Sequence, residues 1–355
     1  MKNKFISIIL LTALWVACDV GDNRDYLPES DVRLTELVIL SDSYSLDSAF
    51  KNSVKDVFSK PIEGHPPPGE PAFKLLFGDD GFFDGYFKKH QNIIVLLHAN
   101  RAAFIKKVLD PNLVDKLLEV HQKNDSTLGV MQNELFAKNQ SIFFVMADNA
   151  VAMEQKLKAN QTELLNIALR NEEKNAKAKL LEGTHVRNDV FYQKCIKNKN
   201  FGIRRSNTYR IAIDNEEFVW LRKSSTTEEL EQGLFLFEAP YTSKEDLTTE
   251  NLIRLRNELV KKYVPGEIEG SYMKYSDAFK PERRDQNFKG KYGVEIRGWW
   301  DVEGDFMGGP SYIRAVVDES RGRIVFAEGF VFHPNENKAR PMRELEILVN
   351  TLSIK

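Results

Sequence analysis

Apolar positions recur along this chain with two periods, and the period changes near the middle. Leu34 to Leu40 is an apolar run that reads as a strand, ended by the turn-prone Ser41-Asp42-Ser43. Leu46, Phe50, Val54, Val57 and Phe58 then fall on one face at spacings of three and four, which predicts an amphipathic helix ended by Pro61. His65-Pro66-Pro67-Pro68-Gly69-Glu70-Pro71 excludes helix and reads as a rigid connector or a polyproline ligand, the connector being preferred. Strands are predicted over 72–77, 93–98 and 141–147, with helices over 101–109 and 111–121 between the last two. Asp148 is expected to cap one long helix over 148–182, closed by Gly183.

From Phe201 onward long strands dominate. Strands are predicted over 210–221 and 234–240, paired through a turn near Gln232-Gly233. Leu252, Leu255, Leu259, Val260 and Tyr263 form a helical stripe ended by Pro265-Gly266. Strands follow near 270–275, 291–301, 311–318 and 323–333, the last two joined by Glu319-Ser320-Arg321-Gly322. A final helix from about Pro341 carries Leu345, Leu348, Val349 and Leu352. The expected class is α+β, with mainly antiparallel sheets and flanking helices. The element order of the C-terminal half is similar to PsbP-like folds, a likeness that carries no function.

The first residues follow another logic. Lys2 and Lys4 precede Phe5–Val16, an apolar run of 12 residues broken only by Ser7 and Thr12. A spanning helix needs about 20 residues, so the run reads as an export signal. Trp15-Val16-Ala17-Cys18 resembles the lipobox of bacterial lipoproteins, with Trp15 where Leu is usual. That resemblance implies cleavage before Cys18 and acylation of its thiol, and two or more acyl chains anchor stably where one does not. The expected organisation is a signal peptide at 1–17, a tether at 18–33, an N-terminal α/β-type region at 34–200 and a C-terminal α+β domain at 201–355. The implied location is the cell envelope, at the periplasmic or outer face of the outer membrane.

Composition narrows the function classes. Fifty basic residues face 52 acidic ones, a net charge of −2 that leaves no field for nucleic acid. Of the two cysteines, acylated Cys18 leaves Cys195 unpaired. Lys194 and Lys197 could activate the Cys195 thiol, although a plain buried thiol is the preferred reading. The six histidines lack zinc-site spacing, and no nucleophile elbow, P-loop or dinucleotide fingerprint is present. Serine catalysis stays open, because triads assemble across distant positions. No cofactor and no metal are implied.

The segment Gly298–Pro310 stands apart. Trp299 and Trp300 precede Asp301, Glu303 and Asp305, whose alternation would put three carboxylates on one strand face, where hard cations bind. Paired carboxylates beside tryptophans also fit a glycosidase or a sugar platform. A twisted strand end, with glycines serving the backbone, is the preferred reading.

Phe218-Val219-Trp220-Leu221-Arg222, Gly233-Leu234-Phe235-Leu236, Pro240-Tyr241-Thr242-Ser243, Lys262–Gly266, Glu269–Met273, Gly298–Pro310, Glu328–Val331 and Arg343–Glu346 resemble an uncharacterised family of Bacteroidetes lipoproteins carrying a domain of unknown function. The family implies a lipid-anchored envelope protein and supplies no catalytic residues. The leading expectation is a non-enzymatic binding, accessory or assembly factor, with the membrane and other envelope proteins as partners. The alternative is an envelope hydrolase or a glycan- or cation-binding protein using residues 298–310.

Overall fold

A computed structural model describes residues 26–182, 189–266 and 268–355. The expected signal peptide, Cys18 and the start of the tether lie outside these residues. The chain is α+β and its described residues form two compact units, one within 1–58 and 75–175 and the other within 59–74 and 176–355.

The first unit is built on a five-stranded sheet of order β2-β1-β3-β5-β4. Its strands are β1 (Glu36–Leu40), β2 (Lys74–Gly78), β3 (Asn92–His98), β4 (Val130–Asn133) and β5 (Ser141–Ala147). β1, β3 and β5 run parallel and β4 is antiparallel to β5. Every residue of β3 and β5 is buried, as strands covered on both faces require. The helices are α1 (Ser48–Phe58), α2 (Gly85–Lys89), α3 (Ala102–Ile105), α4 (Pro111–Lys123), α5 (Ala150–Ala159) and α6 (Gln161–Leu180).

The helix expected over 148–182 is thus two helices. The Asn160 amide donates to the carbonyl of its own preceding turn, Nδ2 to Lys156 O at 2.8 Å, and its backbone leaves the helical region. The cap is Asn149, whose side chain accepts from Ala152 N, whereas Asp148 meets His121. The last residues of the expected tether are also docked. Ser30 N donates to Lys138 O at 3.2 Å and Asp31 N to Lys89 O at 2.8 Å.

The second unit contains α7 (Val190–Lys199), the short strand β6 (Phe201–Gly202), β7 (Arg210–Asp214), β8 (Phe218–Ser224), β9 (Glu231–Pro240), α8 (Thr249–Tyr263), β10 (Tyr272–Tyr275), β11 (Glu282–Phe288), β12 (Lys291–Glu303), β13 (Gly308–Asp318), β14 (Arg323–Phe332), α9 (Ala339–Val349) and β15 (Ser353–Ile354). Its main sheet is antiparallel, in the order β10-β12-β13-β14-β9-β8-β7 with β11 also on β12. The strand expected over 210–221 is a hairpin. The Asn215 side chain accepts from Glu217 N and Phe218 N and turns the chain back. Gln232 and Gly233 lie inside β9, not at a turn.

Alternation sorts the sheet into two cores. Val219, Leu221, Leu234, Leu236, Val325 and Ala327 pack with α7 and α9. Phe218, Phe235, Phe237, Ile313, Ala315, Phe326 and Phe330 pack with α8. The proline-rich loop belongs to this unit because Glu70 caps α9, its carboxylate accepting the Lys338 amide at 2.9 Å and the Ala339 amide.

Candidate functional site

The α8 face of the second sheet has to be covered by a helix that stops at Val264-Pro265-Gly266. Past that stop the strands continue, and their inward side chains line a pocket of about 180 Å³. Trp300 and Val302 of β12, Phe330 and Phe332 of β14 and Trp220 of β8 form most of its wall. Met273, Met307, Val264 and Pro265 complete the apolar lining, and Arg222 and Glu231 bring the charge. Arg222 places Nε and Nη2 on the two Glu231 carboxylate oxygens, a bidentate pair, and its guanidinium lies 4.9 Å from the Trp220 ring centroid.

Close packing gives the pocket its shape. Trp300 donates Nε1 to Val331 O at 3.2 Å and meets Phe330 edge-on at 5.6 Å. Phe330 lies across Gly233, where an added Cβ would come within 2.0 Å of its ring. The pocket therefore depends on a residue without a side chain on the adjacent strand. Two residues before Phe330 on β14, Glu328 forms a wholly buried ion pair with Arg256, with Nη2 to Oε1 at 2.8 Å and Nε to Oε2 at 2.9 Å. Ser311 adds a hydrogen bond to Oε1 at 2.8 Å.

The segment 298–310 contributes to this site with its other face. β12 directs Trp300 and Val302 into the pocket and Trp299, Asp301 and Glu303 away from it. Trp299 lies between His65 and Phe279, with ring centroids 6.2 and 6.1 Å away. Glu303 is bound to Lys274 at 2.8 Å, a contact that with Asp277 raises the lysine pKa. Asp305 has left the strand for the turn to β13, where its Oδ1 accepts the Phe306 amide at 2.7 Å and Gly304 takes φ +85°. The three carboxylates do not converge. Among the described residues no group of three His, Cys, Asp or Glu side chains could hold a metal ion.

Two further clusters have the composition of a site and not its geometry. At the C-terminal ends of β1 and β3, where α/β sheets commonly bind ligands, Asp42, Ser45 and His98 meet. Asp42 Oδ2 lies 2.8 Å from His98 Nδ1, and Ser45 Oγ lies 2.9 Å from that same nitrogen. A relay needs the hydroxyl and the carboxylate on opposite ring nitrogens, yet both meet Nδ1 here, and His98 Nε2 is buried without a partner among the described residues. Burial lowers the His98 pKa, against the pull of Asp42.

On the α9 face, Arg297 bridges Glu295, at 3.1 Å, and Glu346, while Arg343 reaches Glu346 at 3.4 Å. Burial would raise the Glu346 carboxyl, but Arg297 and Arg343 outweigh it and hold it low. These charges neutralise one another. Cys195 is buried, and its burial, with Asp214 next, pushes the thiol up to about 11 despite Lys194 and Lys199. It is a protonated core thiol.

Residues 189–351 match the model of a domain of unknown function, DUF4837. Residues 30–181 match a second domain of unknown function, DUF8532. The pocket lies wholly within the DUF4837 match. No curated protein matches the chain. Among solved structures, LpqN, involved in cell envelope biogenesis of Mycobacterium tuberculosis, is similar at 10% identity and TM-score 0.27, over 44% of this chain and 83% of that one. A protein of unknown function, PA94 from Pseudomonas aeruginosa, is similar at 12% identity and TM-score 0.20, over 36% and 85%. At such TM-scores neither likeness bears on this chain's function. No described helix is long and apolar enough to cross a membrane.

The pocket was hidden from sequence reasoning. Sequence reasoning groups Trp300 with the carboxylates of 298–310 and assigns Trp220, Phe330 and Phe332 to no site. The available signal was the pairing of the large Phe330 with Gly233 across two strands, which becomes visible only once the register is known.

Proposed function

We propose that this chain is a lipoprotein of the Bacteroidetes type, anchored in the cell envelope through acylated Cys18, and that it works by binding, its second unit receiving a small apolar group. The observation that carries the binding reading is the aromatic pocket past the end of α8. A cavity of about 150 Å³ lined by apolar side chains stays dry and takes up benzene, so about 180 Å³ suits one ring or a short aliphatic segment. Metabolite-sized pockets begin at about 300 Å³. The fitting ligand is therefore the end of a longer molecule, such as an acyl chain or an apolar side chain of an envelope partner. Six buried methylenes contribute about 5 kcal/mol, which corresponds to a Kd of about 0.2 mM.

A hydrolase or glycan site in 298–310 has less support, since Trp300 is core and Glu303 is tied to Lys274. Titration of the mature protein with 1-octanol, followed by tryptophan emission, tests the pocket. Saturable binding is expected, and it is lost in the pocket-filling Val302→Trp variant; a linear response that survives the substitution ends the reading. Anchoring is tested separately. Cys18→Ser should abolish acyl labelling and release the protein from membranes, and an unmodified native N-terminus by mass spectrometry would refute it.

A further inference from the structure

The polar atoms around the pocket are unevenly satisfied. We infer that its ligand is an amphipathic anion, an aliphatic segment ending in a carboxylate or phosphate, met by Arg210 and by Nε1 of Trp220. The inference rests on the pocket reading above and adds the charge of the ligand.

Three observations support it. The buried side-chain polar atom of the wall without a partner among the described residues is Trp220 Nε1, which can only donate. Arg210 stands directly opposite Arg222 in the β7–β8 register, and Ile213 opposite Trp220, so Arg210 shares the pocket's face of the sheet. Like charges paired across strands repel. Arg222 is neutralised by Glu231, whereas Arg210 is exposed and has no carboxylate partner among the described residues. One unfilled donor in the wall and one exposed cation on the neighbouring strand, opposite the wall residue Arg222, thus share this face of the sheet. The Glu231 carboxylate already carries Arg222 on both oxygens. A cationic head group would have to compete with Arg222 for Glu231 and would face the charge of Arg210, whereas a carboxylate or phosphate would be drawn to Arg210 and could accept from Trp220 Nε1.

Octanoate, octyl phosphate, 1-octanol and inorganic phosphate, titrated against the mature full chain, separate the possibilities. Octanoate and octyl phosphate are expected to bind about five-fold more tightly than octanol, with a preference that shrinks as salt is raised. Their ratio to each other identifies the source, fatty acid or phospholipid. Arg210→Gln, at an exposed position that should not disturb folding, is expected to bring the preference close to one while octanol binding persists. Trp220→Phe keeps the ring, removes the donor and should reduce the preference in part. Equal affinity for octanol and the anions, or a preference that survives Arg210→Gln, overturns the inference and leaves the apolar pocket standing. Binding of inorganic phosphate as tightly as octyl phosphate also overturns it, since the tail would then contribute nothing. If none of the aliphatic probes binds, the pocket reading falls with it.

Discussion

Arg256 and Glu328 are both fully buried and bound through two parallel hydrogen bonds, with Ser311 on one carboxylate oxygen. Arg256 also packs over the Tyr275 ring, 5.6 Å from its centroid, so the pair ties α8 to the centre of the sheet. Burying two charges costs more than a salt bridge usually returns, but removing one partner strands the other and costs about 3–5 kcal/mol. Arg256→Met and Glu328→Leu should each lose that amount, the latter also freeing the Ser311 hydroxyl at about 1 kcal/mol more. The double variant should fall only about 1 kcal/mol below the parent, the cost of the freed Ser311 hydroxyl, because neither charge is then left unpaired. Urea unfolding followed by tryptophan emission is the assay. Trp220, Trp299 and Trp300 all lie in the second unit, so its transition is read alone in protein produced from Cys18 onward, without Trp15. With a slope of about 2 kcal/mol per molar urea, Arg256→Met should lower the midpoint by about 1.5–2.5 M and Glu328→Leu by about 2–3 M. Single variants shifting it by less than about 0.5 M, or a double variant as unstable as the two losses added, would refute the reasoning.

Other consequences concern single positions. Gly233→Ala should displace the Phe330 ring, destabilise the second unit by about 1–3 kcal/mol and abolish octanol uptake; unchanged uptake would dissociate Phe330 from the pocket. Burial lowers His90 from 6.5 to about 4, so the unfolded chain binds a proton that the fold refuses. The first unit should therefore lose about 3 kcal/mol as pH falls from about 6.5 to 4, and His90→Gln should flatten that slope in circular dichroism melts. With its thiol pushed up to about 11 by burial, Cys195 should resist iodoacetamide at pH 7.5 in the folded protein and react at once in urea. Rapid labelling of the native state would contradict its place in the core.

The parts legible in the sequence are those where one local pattern decides. The α8 stripe with its Pro265-Gly266 stop, the fully apolar β3 and β5, and the β13–β14 turn at Gly322 all follow from neighbours in the chain. β11 escaped because Glu-Arg-Arg-Asp-Gln-Asn-Phe has one buried residue, and the segment is a strand only because β12 pairs with it. Asn160 and Asn215 each redirect the chain through a single side-chain hydrogen bond, which apolar periodicity does not register. Glu70 caps a helix far along the chain, and no local signal announces such a partner. For the candidate site, alternation does say that Trp299 and Trp300 face opposite ways. Which of them turns inward depends on the cover supplied by α8, and that is a tertiary fact.

The central claim is that a short aliphatic group enters the hollow past the end of α8. Methyl spectra of protein labelled at its methionines test it most directly, because Met273 and Met307 line the hollow while Met131, Met146, Met153 and Met342 do not. Addition of 1-octanol should shift Met273 and Met307 in a saturable way and leave the other four in place. Shifts spread evenly over all six, or confined to methyls outside the hollow, would contradict the account.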